Sequence, residues 1–107
     1  MQTLEVSLTA ADVVIGTAVL AEDDPSMGVA SGIFHPNDFY RPEEHASFLD
    51  DRVLFDLPGR TLLTAHNAGG SRIECASVVL TDYSDALGPE ELKVEILGMA
   101  QYESYFG

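Results

Sequence analysis

The sequence has no tryptophan, a single cysteine, and only five lysine and arginine residues against eighteen aspartates and glutamates. Each shortage excludes something. Cys75 has no second cysteine with which to close an intramolecular disulfide, and its place in an apolar run marks it as a small buried hydrophobe rather than a reactive thiolate. The formal charge of -13 argues against direct binding to nucleic acid or to an anionic membrane surface, because approach begins with like-charge repulsion. No apolar run nears the roughly 18 residues that span a bilayer, and the Met1-Gln2-Thr3-Leu4 opening lacks a basic n-region. The expected location is therefore the cytoplasm. Also missing are the glycine loops that cradle phosphate, the G-x-S-x-G nucleophile elbow and the H-E-x-x-H zinc helix. No cofactor is expected.

What is present suits one folded domain over residues 1–107. The chain is 46% hydrophobic with 8% aromatic residues, an ordinary globular balance. At this length folding buries roughly 65% of the surface that the unfolded chain exposes. There is no internal repeat, linker or low-complexity segment.

Residues 73–99 give the clearest pattern. Both faces of residues 73–83 are apolar, as in a central strand covered on both sides. In Leu92-Lys93-Val94-Glu95-Ile96 the apolar residues alternate with polar ones, as a half-buried antiparallel strand requires. Gly88-Pro89 and the acidic residues around it break the chain between the two, so the strands should lie side by side.

Earlier in the chain, residues 4–8 alternate and read as a first strand, and residues 13–21 are β-branched enough for a buried second one. Glu22-Asp23-Asp24-Pro25-Ser26 reads as a surface turn, without the oxygen-bearing positions of a calcium loop. Next comes a strand with small residues at Gly28, Ala30 and Gly32, a bare face that lets a neighbouring backbone approach closely. Residues 37–51 hold the best helix pattern. Pro42 suits the first position, Glu43 and Glu44 suit the positive end of the dipole, and His45, Phe48 and Leu49 share one face over about two turns. Residues 52–57 and 61–66 flank Pro58-Gly59-Arg60 and predict a hairpin. The expected fold is mainly β: a small barrel or sandwich of six to seven mostly antiparallel strands with one short helix. The alternative is an α+β arrangement with residues 13–20 helical.

The acidity is uneven. Residues 22–56 carry nine carboxylates against Arg41 and Arg52, a balance of seven negative charges; residues 57–107 carry seven against three, a balance of four. The first functional reading is therefore a non-enzymatic interaction module that binds a basic protein, since long-range attraction speeds encounter and a few anchors then set affinity. Asp23, Asp24, Glu43 and Glu44 would supply charge, with Phe39, Tyr40 and Arg41 as anchors. A second reading is self-association, through a strand edge or through Tyr102, Tyr105 and Phe106 in an aromatic tail at residues 100–107, which either folds back as a lid or docks into a neighbour. A third is a small hydrolase or metal-dependent enzyme. His35, Asp38 and His45 are its candidates, because imidazole and carboxylate serve both metal binding and proton transfer. Asp82 and Asp85 have the chemistry of a glycosidase pair, but in so acidic a chain such spacings arise by chance.

Overall fold

The structure, a computed structural model, describes residues 2–58 and 61–106. It begins with a hairpin of β1 (Thr3–Ala10) and β2 (Val13–Asp24). The two linking residues, Ala11 and Asp12, both have positive φ, 50° and 66°, which matches the right-handed twist of the flanking strands. Residues 13–20 are thus strand, and the α+β alternative is not adopted. β2 continues through Glu22 and Asp24, which pair with Ala30 and Val29. The surface turn expected from Glu22 onward starts only at Pro25, where a 3-10 turn, Pro25–Met27, ends at Gly28 with φ 66°.

β3 (Val29–Pro36) returns antiparallel to β2 and pairs on its other side with β8 (Leu92–Leu97). β8 in turn pairs with β7 (Ser77–Asp82), so the strands expected on either side of Gly88-Pro89 do lie together. The loop between them holds two short turns of helix, α2 (Ser84–Leu87) and the 3-10 turn Pro89–Glu91. Residues 73–76 are not strand: Ile73 instead donates its N–H to the Ala65 carbonyl, which ties this stretch to β6 (Leu63–Asn67).

The predicted two-turn helix is the clearest departure. α1 (Pro42–His45) has Pro42 at its start and Glu43 and Glu44 in its first turn, but it ends after four residues. Phe48 and Leu49 form β4 (Phe48–Leu49), which runs parallel to the end of β7 and antiparallel to β5 (Arg52–Val53). The backbone is better satisfied on the sheet edge, where the Ser47 N–H reaches the Leu80 carbonyl at 2.8 Å and the Asp50 N–H reaches that of Asp82 at 2.9 Å. The hairpin expected from residues 52–66 does not form either, because β5 pairs with β4 while β6 pairs with β1. Of its expected turn, Pro58-Gly59-Arg60, the last two residues lie outside the described residues.

The order β5-β4-β7-β8-β3-β2-β1-β6 makes a mainly β, mixed sheet that curls into a half-barrel. Among the described residues it has eight strands, of which two are only two residues long. Inward residues, among them Leu8, Ile15, Leu20, Phe34, Leu80 and Ile96, form one core. The tail, as α3 (Tyr102–Phe106), folds back onto it, with Tyr102 and Phe106 buried in that core and Tyr105 half-buried against it. Burial raises the Tyr102 phenol above the ordinary tyrosine range; the Glu22 carboxylate adds to this and the Asp23 backbone opposes it.

Candidate functional site

An acidic concavity lies where α1, the β4–β5 turn and the start of α2 meet. Its first wall is the 37–41 segment, which Asn37 secures: the Asn37 N–H bonds the Ile15 carbonyl, its side-chain amide donates to the Val14 carbonyl, and its Oδ1 accepts the Phe39 N–H at 2.9 Å. That anchoring sets Tyr40 edge-on to Phe34, with ring centroids 5.5 Å apart. The Tyr40 hydroxyl donates to Asp82 Oδ2 at 2.7 Å. At the helix entry the Arg41 N–H donates to His45 Nδ1 at 3.0 Å, so the buried imidazole caps its own helix.

The second wall is the β4–β5 turn, where Asp50 takes a positive φ of 51° and its Oδ1 is buried with no hydrogen-bond partner among the described residues. The third is the end of β7. Asp82 is only 2% exposed, and its Oδ1 accepts from the Ser84 N–H at 2.9 Å and the Ser84 hydroxyl at 2.6 Å. With Asp85 these walls enclose an open groove of about 910 Å³ lined by Glu43, Glu44, Asp50, Asp82 and Asp85, and by the cations Arg41 and Arg52. The Arg52–Glu43 pair is long, 4.0 Å, and both partners are exposed, so it neutralises little.

Of the residues expected to meet a basic partner, Tyr40, Arg41, Glu43 and Glu44 come together in this groove. Phe39, 60% exposed, lies in an adjoining hollow beside Arg41 and Glu44. Asp23 lies elsewhere, in a shallow depression with Lys93 and Glu95, and Asp24 accepts the Ser26 hydroxyl at the end of β2. Asp50 and Asp85 carry no local sequence mark as groove residues, since the folding of the chain alone puts them opposite Glu43.

His35, Asp38 and His45 are not gathered. The first two are exposed on β3 and in the loop after it, while His45 is buried in α1. Among the described residues no three His, Cys, Asp or Glu side chains are placed to hold a metal ion. Tyr102 and Phe106 pack inside their own chain, the first of the two arrangements expected for the tail. Among the described residues no helix is long and apolar enough to cross a membrane.

Cys75 is half-buried beside the core. Burial raises its thiol above the ordinary range, outweighing the Arg72 guanidinium. The native thiol should therefore alkylate several-fold more slowly at mildly alkaline pH than the same thiol in denaturant, because the thiolate is the reactive form. Equal rates measured with iodoacetamide in the two conditions would contradict this.

No family model, no curated protein and no solved structure matches this chain.

Proposed function

We propose that the protein is a non-enzymatic interaction module whose acidic groove receives a lysine- or arginine-bearing segment of a basic protein. The observation that carries the reading is the convergence of five carboxylates from three separate stretches of chain on one open groove. Three of them, Glu43, Glu44 and Asp85, are exposed and able to steer an approaching cation. Asp82 acts differently, since its oxygens are already engaged by Tyr40 and Ser84 and it holds the walls in place. Phe39 and Tyr40 give the rim an aromatic edge, and such anchors supply the short-range part of affinity once charge has brought two proteins together. The cytoplasm is the compartment in which we place this interaction.

The test is capture of the basic partner from the source cell's lysate at low salt and at about 0.15 M, where the Debye length is about 8 Å. The partner should be retained at low salt and weakened at the higher. Combined Glu43→Gln, Glu44→Gln and Asp85→Asn substitutions should lower its affinity about tenfold, at roughly 0.5 kcal/mol for each exposed charge. An equal loss of charge at Glu5, Glu90 and Glu103 should leave affinity within about twofold. If both triple variants lose the partner equally, net charge rather than the groove is responsible and the proposal fails.

A further inference from the structure

A second cavity, independent of the acidic groove, lies at the opening of the half-barrel. β4 covers only the Thr81 and Asp82 end of β7. Leu80 and Asp82 turn their carbonyls toward β4, and because alternate strand residues share an edge, Val78 turns its backbone the same way, beyond the end of β4. There Phe55, Leu57, Thr61 and Leu62, with Leu63 of β6, face β7 across a half-enclosed cavity of about 740 Å³, within the range of about 300–1,000 Å³ typical of small-molecule sites.

The wall is apolar apart from a few separated polar groups. Phe48 and Phe55 have ring centroids 5.6 Å apart, and Leu57, Leu63, Val78 and Leu97 are among the other apolar lining residues. Phe55, Leu57 and Leu62 are 59%, 48% and 87% exposed, so apolar surface at the mouth is left in water. Among the described residues Glu95 is the sole carboxylate in the wall, and no lysine or arginine lines it. It is half-buried opposite Val79 and makes no ion pair among the described residues, while the nearby Lys93 ammonium reaches Glu91 at 3.6 Å instead. His45, also in the wall, accepts the Arg41 N–H through Nδ1.

We propose that this cavity binds a small lipophilic cation, an alkyl- or aryl-ammonium whose apolar body lies against Phe48, Phe55 and Val78 and whose charged head reaches Glu95. Charge complementarity decides between classes of amphiphile. A lipophilic anion would meet the Glu95 carboxylate and a chain of formal charge -13, whereas a cation gains from both and from the faces of the aromatic rings.

The test is isothermal titration of the full chain with n-octylammonium, n-octanol and n-octanoate, which share one apolar body and differ in the head. Saturable one-to-one binding is expected, with the ammonium ahead of the carboxylate by at least about tenfold. Glu95→Gln should reduce the lead of the ammonium over the alcohol to about twofold, and Glu5→Gln, an equal charge loss on β1, should preserve it. Ser77→Trp, at an exposed position in the wall, should abolish binding of all three probes while the circular dichroism stays native. Absence of saturable binding, equal affinity for octanoate, or an ammonium preference that survives Glu95→Gln would each overturn the proposal.

Discussion

Gly32→Val should leave the chain unfolded or nearly so, and Gly32→Ala should cost about 3 kcal/mol, read from the urea midpoint of each variant. A Cβ at Gly32 would overlap the Val19 carbonyl oxygen and lie 3.1 Å from the Val19 carbonyl carbon and 3.4 Å from the Leu20 Cα. All three are backbone atoms, so no side chain can rotate aside. The register between β2 and β3 passes from Ala18↔Phe34 to Ala21↔Ser31 without the two pairs between, and there β2 leans over Gly32. Leu20, beside this contact, is fully buried, so displacing β2 would open the core as well. A domain of this size has roughly 5–15 kcal/mol in all. Gly69→Ala is the control, since its added Cβ would meet only the Asn67 side chain, at 3.4 Å; it should stay within about 0.5 kcal/mol of the unmodified protein. Tolerance of alanine at Gly32 comparable to that at Gly69 would show that β2 can move away.

The close approach at Gly32 was legible because Ala30 and Gly32 at alternate positions leave one face of β3 nearly bare, whereas Gly28, read with them as strand, instead closes the turn before β3. Period-two alternation marked β8 for the same reason, as each of its residues reports its own side of the sheet. The helix was misread where one apolar pattern serves two structures. His45, Phe48 and Leu49 fall on one helical face, yet Phe48 and Leu49 find a better backbone partner at the free edge of β7, and no local signal announces an edge supplied by residues about thirty positions later. The β1–β2 turn was obscured differently. Ala11 and Asp12 hold positive φ without glycine or asparagine, so the paired strands around them impose a conformation that turn chemistry would not predict.

The candidate site divides along the same line. Glu43, Glu44, Tyr40 and Arg41 are neighbours in the chain, so their charge and aromatic character appear together in the sequence. Asp50 and Asp85 join them only through tertiary structure. Asp82 was the hardest to read, since a buried carboxylate with three donors and an exposed one in solvent have the same letter, and only the positions of Tyr40 and Ser84 separate them.

That difference predicts the second large effect: Asp82→Ala should destabilise the protein by about 3–5 kcal/mol in chemical denaturation. The substitution removes the acceptor of the Tyr40 hydroxyl, the Ser84 N–H and the Ser84 hydroxyl at a position 2% exposed, where water cannot readily replace it. Asp82→Asn keeps the size but turns an amide N–H₂ toward one of these donors, so its cost should be intermediate, about 1–2 kcal/mol. Tyr40→Phe deletes one donor without stranding the carboxylate, which keeps both bonds from Ser84, and should cost about 1 kcal/mol. In the double variant the two effects should fall short of additive by the coupling between the pair. Asp85→Ala, exposed three residues further on, should change stability by no more than about 0.5 kcal/mol. The contrast extends to binding. Asp85 contributes charge to the groove, so its loss should weaken a basic peptide while leaving the fold intact. Asp82 joins the 37–41 segment to the start of α2, so its loss should loosen two walls together and lower affinity by more than one missing charge explains. An Asp82→Ala protein as stable as Asp85→Ala would mean that these walls are held by something other than the buried carboxylate.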